Sequence, residues 1–137
     1  MAIDQGLTTS FKEQILLGQH DLVTDTLKMA LYTGFANLNY ATTVYTPTNE
    51  AVAAGYTAGG EIITGVTVTS QGLTAYVNFA PVSWNAAITA RGALIYNASK
   101  ANKSVAVINF GADKTSTSVF IVTPPANTAT TAIIRLP

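Results

Sequence analysis

The stretch Thr89-Ala90-Arg91-Gly92-Ala93-Leu94-Ile95-Tyr96-Asn97 decides how this chain is read. Ala93 to Tyr96 are apolar or aromatic without interruption, the pattern of a strand covered on both faces rather than one with a wet side. Residues 82–88, just before it, read as a loop carrying Trp84, the only tryptophan. A strand buried on both sides needs neighbours, and the flanking sequence supplies them.

Downstream, residues 98–103 form a polar turn, and residues 104–110, with Val105, Val107 and Phe110, form a strand. Residues 111–117 read as a further turn. Residues 118–123 form a strand stopped by Pro124 and Pro125, and residues 131–136 form the last one. Upstream, the strands 62–69 and 73–79 flank Ser70-Gln71-Gly72, a hairpin connection with glycine where positive φ is needed. Leu73, Ala75, Val77 and Phe79 share one face of the second strand, Thr74, Tyr76 and Asn78 the other, and Pro81 ends it. In residues 26–33, Leu27, Met29 and Leu31 alternate with Lys28, Ala30 and Tyr32, which predicts a strand with one buried face.

Nearer the start, Ser10 and Glu13 have the spacing of a capping box, in which each side chain satisfies a backbone N–H left free at a helix start. Phe11, Ile15, Leu16 and Leu17 supply an apolar stripe over about two turns, and Gly18 ends the helix. Residues 1–9 read as an arm or a borrowed strand. The pattern as a whole predicts one all-β domain over residues 1–137: a jelly-roll or β-sandwich of about seven to eight antiparallel strands with one short N-terminal helix.

Composition narrows the chemistry. The chain has 137 residues, 48% of them hydrophobic, and no cysteine, so it offers neither disulfide framework nor thiolate. Charged residues make up only 10%, and seven acids cancel seven bases, against about 25% charged in an average soluble domain. Such a surface either contacts other protein over much of its area or is a neutral, threonine-rich exterior. Lys100, Lys103 and Lys114 form no basic run, so no nucleic-acid footprint is expected. No apolar run approaches the roughly 20 residues that span a bilayer, and residues 1–6 lack a signal pattern, so an unexported chain is expected. The glycosylation-type triplets at Asn97 and Asn102 then read as chance.

No residue set amounts to a reactive site. His20 beside Asp21 could act as an oriented base, but a cation against the last helical carbonyls fits it better. Asp21 and Asp25 read as turn caps rather than a cation loop. Among Asp4, Glu13, Asp21, Asp25, Glu50, Glu61 and Asp113 no pair is singled out as a glycosidase-type couple. Gly55, Gly59 and Gly60 precede a strand, not a helix, and read as turn glycines. Trp84 reads as a core plug rather than a sugar platform. We therefore expect no catalytic, cofactor-binding or metal-binding residues and no enzyme activity.

Residues 34–60 have no periodicity, a length that in a compact domain is usually functional. Phe35, Tyr40, Tyr45 and Tyr56 punctuate this loop; either they pin it to its own domain or they face a partner. Arg91 stands alone before an apolar strand and could bind a partner carboxylate or pair internally with Glu61 or Asp113. Phe35, Tyr40, Tyr45, Tyr56 and Arg91 are thus the candidate partner interface.

The order Ser10-Phe11-Lys12-Glu13, Lys28-Met29-Ala30-Leu31-Tyr32-Thr33, Gly55-Tyr56-Thr57-Ala58-Gly59-Gly60 and Ile88-Thr89-Ala90-Arg91-Gly92-Ala93-Leu94-Ile95-Tyr96-Asn97 resembles small structural proteins of tailed bacteriophages. Within that group the chain is most similar to the head decoration, or cement, proteins. The resemblance implies a β-sandwich or jelly roll outside the lattice of major capsid protein, joining neighbouring capsomers as a dimer or trimer. It also implies synthesis in the host cytoplasm and residence on the virion exterior. No functional residue transfers by motif. A phage tail or baseplate component and a carbohydrate-binding jelly roll, the latter using Trp84 and the loop tyrosines, are the alternatives.

Overall fold

The computed structural model describes residues 2–125, 128 and 130–136. In chain order its elements are β1 (Gly6–Leu7), α1 (Thr9–Leu16), β2 (Leu27–Tyr32), β3 (Glu61–Ile62), β4 (Thr67–Gln71), β5 (Thr74–Asn78), β6 (Val82–Trp84), β7 (Thr89–Asn97), β8 (Lys103–Thr115), β9 (Phe120–Val122) and β10 (Arg135–Leu136). All pairings between these strands are antiparallel. They form a five-stranded sheet in the order β1-β8-β7-β2-β3, a three-stranded sheet β10-β5-β4 and the pair β6-β9. The molecule is mostly β with one short helix, as expected. More strands form than expected because β1, β3 and β6 are too short to show a periodicity.

β7 is the centre that its sequence suggested. It pairs with β2 from Leu27↔Asn97 to Tyr32↔Gly92 and with β8 on its other side. Alternate residues of these strands enter two separate cores. Leu27, Met29, Leu31, Ala93 and Ile95 face a large core shared with Val77, Trp84 and Phe120 of the two smaller sheets. Ala30, Tyr32, Leu94, Tyr96 and Val107 face a second core completed by Ile3, Ala36 and Leu38. The expectation of a single buried face on β2 is therefore corrected: Ala30 and Tyr32, read as the outward set, are buried under the chain start and the long loop.

The arm, described from Ala2, lies on its own sheet. Ile3 bridges Leu38, and β1 pairs with β8 at Gly6↔Val107. Ile3 rests on Gly92, where a Cβ would stand 2.7 Å from the Ile108 carbonyl oxygen and 2.9 Å from Ile3.

The helix forms where expected but starts differently. Its N-cap is Thr8, whose Oγ1 accepts the Phe11 N–H at 3.4 Å and meets Ser104 Oγ at 2.9 Å. The Thr8 N–H already donates to Val105 O, so the sheet sets the first turn and the Ser10–Glu13 capping box is not used. Phe11 is buried and Ile15 half-buried, whereas Leu16 is 86% exposed and Leu17 is exposed as well. The stripe is narrower than its composition suggests because a helix of eight residues lays one face on β8.

Three further boundaries differ. The turn expected at 111–117 is an excursion within β8, since Ala90 pairs with Lys114 and Gly92 with Asn109. Phe110, Gly111, Ala112 and Asp113 thus stand opposite Arg91 alone, with Gly111 at φ +82° turning the chain outward. In the β4–β5 hairpin Gln71 pairs with Thr74, so Leu73 sits in the two-residue turn, 98% exposed, rather than on the buried face. The expected strand 62–69 divides into β3 on the large sheet and β4 on the small one, and the expected strand 131–136 pairs only over Arg135–Leu136.

Candidate partner interface

Residues 34–60 contain one charged residue, Glu50, and it is only 7% exposed. Tyr45 Oη donates to its Oε1 at 2.6 Å, Tyr56 Oη donates to Oε2 at 2.5 Å, and the Gly59 N–H donates to Oε2 at 2.8 Å. A buried carboxylate is costly unless its oxygens are satisfied, and these three donors satisfy it. Tyr56 Oη also accepts the Leu31 N–H at 2.9 Å, which ties the loop to β2. Tyr96 of β7 donates to Gly59 O at 2.6 Å and stacks on Tyr45 with ring centroids 4.8 Å apart. Tyr32 Oη donates to Thr46 O at 2.6 Å.

Four phenols therefore converge on one carboxylate or its immediate surroundings. Burial first, and then Glu50, through its hydrogen bonds to Tyr45 and Tyr56 and its charge near Tyr32 and Tyr96, raise the pKa values of these four phenols above the ordinary tyrosine range, Tyr96 to about 12. The phenols remain protonated donors, as the clamp requires. Of the five candidate interface residues, Tyr45 and Tyr56 are thus turned inward and pin the loop.

Phe35 and Tyr40 are turned outward, at 68% and 69% exposure. Phe35 lies three residues past the end of β2 and lines a shallow cleft of about 550 Å3 with Thr33, Thr89, Arg91 and Asp113. The β8 excursion brings Asp113 to Arg91: Nη1 lies 3.5 Å from Asp113 Oδ1, and Nη2 donates to Gly111 O at 3.4 Å. Of the two internal partners considered for Arg91, the structure selects Asp113; Glu61 lies on β3. Both side chains are well exposed, so the pair contributes about 0–1 kcal/mol and leaves guanidinium edges open to a partner. Tyr40 is held from behind, since its carbonyl accepts the Thr9 N–H at the start of α1.

Of the positions weighed for chemistry, His20, Asp21, Asp25 and Trp84 are engaged in holding the fold. His20 Nε2–H donates to Gln14 Oε1 at 2.8 Å, and Nδ1 accepts from Asn97 Nδ2 at 3.0 Å. The expected contact with the helix-end carbonyls is replaced by this side-chain chain, and burial lowers the pKa of His20, favouring the neutral ring this network needs. Asn97, fully buried, also donates to Asp25 Oδ2 at 2.7 Å, and Lys100 lies 3.6 Å from Asp25 Oδ1. Asp21 caps a turn as expected, accepting from the Val23 and Thr24 amides. An apolar cleft of about 410 Å3 opens between α1 and the β10-β5-β4 sheet, and His20 and Asp21 at its rim are already hydrogen-bonded. Trp84 is 2% exposed against Phe120, so its ring offers no stacking face.

Glu50 and Asn97 organise these networks, a role sequence reasoning gave to neither, having weighed Glu50 only as one of seven carboxylates and Asn97 only as a chance glycosylation triplet. Glu50 had one legible signal, being the lone charge among the tyrosines of 34–60; Asn97 had only its place at the end of an apolar strand. No protein-family model, curated protein or solved structure matches this chain.

Proposed function

We propose that the chain is a virion structural protein that binds the outside of a tailed-phage capsid and cements neighbouring capsomers of major capsid protein, without enzymatic activity. The observation that carries the reading is the loop 34–60: its inner side is clamped on Glu50, and its outer side presents Phe35 and Tyr40 to solvent. A clamped loop binds without the ordering cost of a mobile one, and aromatic residues are enriched at interface cores. The nearly uncharged composition is of a piece with this, because neutral contact area needs no charge partner on the shell.

The fold fits as a β-sandwich, with the β10-β5-β4 and β6-β9 sheets packed on one face of the large sheet through a shared core. Its nested pairings β1-β8, β2-β7 and β4-β5 are those of a rolled-up hairpin, the winding of a jelly roll, although β7 also pairs directly with β8. Cementing then works by mass action. A protein that binds only the assembled shell stabilises it in proportion to occupancy, and a homo-oligomer adds avidity from several contact points.

A cryo-electron microscopy map of particles containing this chain tests the proposal. Expected is density in many copies over the shell, joining adjacent capsomers, with Phe35 or Tyr40 at the contact. Density confined to the tail, or a chain that never joins a particle, refutes it. Phe35→Ser with Tyr40→Ser should leave the fold intact and abolish shell binding; unchanged occupancy would remove the loop from the interface.

A further inference from the structure

Strand edges carry unpaired N–H and C=O groups, and folded proteins shield them with charge, brevity or cover. Most edges here are shielded in that way. β1, β3 and β10 are two residues long, and Glu61 and Arg135 sit on the last two. On β9 the Ile121 carbonyl accepts from Lys114 Nζ. Beyond β1, the exposed end of β8 carries Asp113 and Lys114, and the Gln5 side chain covers the Asn109 N–H.

β4 differs from all of these. Its five residues, Thr67-Val68-Thr69-Ser70-Gln71, are all exposed, and none is charged or proline. It pairs with β5 without a bulge and, among the described residues, has no strand on its other side. The two-residue turn makes Gln71 and Thr74 a hydrogen-bonded pair. By alternation Thr69 and Thr67 also bond to β5, and Val68 and Ser70 aim their N–H and C=O groups outward.

We propose that β4 is a self-pairing edge, along which two copies of this chain join antiparallel about a two-fold axis through Thr69. Only that centre overlaps the whole strand with itself. Val68 then faces Ser70 of the second copy on either side of the axis, and each such pair exchanges both of its N–H···O=C bonds. The result is one continuous sheet with three strands from each copy. On the axis Thr69 meets its own counterpart, a pairing that suits two hydroxyls and involves no like-charge contact. The same register carries Leu73, 98% exposed, to Gly65 of the second copy, where no side chain stands in its way. An isologous contact of this kind needs a self-complementary surface, and an uncharged strand meets that need. The inference stands on the edge alone and does not require the shell-binding reading.

Sedimentation equilibrium of the purified chain over a wide concentration range tests it, with circular dichroism confirming the fold of each variant. Expected is a reversible monomer–dimer equilibrium. Thr69→Lys and Thr69→Glu each place like charges on the axis and should weaken it tenfold or more, whereas an equimolar mixture of the two should restore a mixed dimer. Ser70→Pro removes an outward N–H while sparing the β5 ladder, so it should weaken the dimer comparably even if a Thr69 variant fails to fold. A chain that stays monomeric throughout, one that associates only on a shell, or an oligomer indifferent to Ser70→Pro overturns the proposal.

Discussion

Replacing Glu50 with alanine is the most direct test of how the long loop is held. The carboxylate accepts from Tyr45, Tyr56 and the Gly59 N–H, and Glu50→Ala leaves all three donors without an acceptor. Tyr45 is half-exposed and can turn to water, so its loss costs little. Tyr56 and the Gly59 N–H lie deeper, and each unsatisfied buried donor costs about 1–3 kcal/mol. Removing an ionised group from a buried site returns part of that, because the carboxylate no longer has to be desolvated. The expected net loss is about 2–4 kcal/mol, a large share of the 5–15 kcal/mol typical of a domain.

Urea unfolding measures the loss as a lowered midpoint at unchanged slope. Amide hydrogen exchange locates it: the Leu31 and Gly59 N–H groups, bonded to Tyr56 and Glu50, should lose protection while the β7–β8 ladder keeps its own. Glu50→Gln retains one oxygen acceptor and should cost clearly less. A Glu50→Ala protein within about 1 kcal/mol of the parent, with loop protection unchanged, would refute the clamp.

The same network sets an alkaline limit. Tyr32, Tyr45, Tyr56 and Tyr96 hold their protons above the ordinary value of 10.0 in the folded chain. Above pH 10 the unfolded chain therefore binds fewer protons, and stability falls by at most about 1.4 kcal/mol per pH unit for each of the more buried phenols Tyr32, Tyr56 and Tyr96 until its folded value is passed, and by less for the half-exposed Tyr45. Urea midpoints between pH 8 and 11 check this, and Tyr56→Phe should make the fall shallower. Thr8→Ala should cost about 1–2 kcal/mol through the lost N-cap, with Thr8→Ser retaining most of it and Ser10→Ala near neutral, in urea titrations. Gly60→Ala should cost more than about 3 kcal/mol by the same measurement, because at φ +79° its Cβ would fall 1.7 Å from the Met29 carbonyl oxygen.

What the sequence made legible was the part governed by local pattern. β7 was readable because four consecutive apolar side chains admit few other settings, and the β4–β5 hairpin because Gly72 marks its turn. Trp84 and the turn-capping Asp21 were readable from residue type. The misreadings share a different cause. Thr8 caps the helix because its neighbour is Ser104, 96 positions away. Gly111 bends β8 instead of ending it because Thr89 and Ala90 wait beyond to resume the ladder. Tyr32 and Ala30 are buried because a loop without periodicity covers them. Each of these is decided by a tertiary contact, with Ser104, with Thr89 and Ala90, or with an aperiodic covering layer, on which a local periodicity is silent.

That covering loop couples folding to the proposed partner contact. A sheet with apolar side chains on both faces needs a layer on each. The smaller sheets supply one, and on the other face Ile3, Ala36 and Leu38 cover Tyr32, Leu94 and Tyr96. Burying each of these large side chains stabilises the fold by about 1.5–3 kcal/mol at most. An irregular segment can act as a layer only if its polar backbone is satisfied, and the Glu50 clamp with its tyrosines does this where a helix would have used its own hydrogen bonds. Deleting part of residues 34–60 therefore strips the second core and cannot separate binding from folding. Phe35 and Tyr40 can, because they project from the layer without contributing to either core. A layer locked from beneath and aromatic on top is a rigid surface built from the least regular part of the chain, as the proposed contact requires.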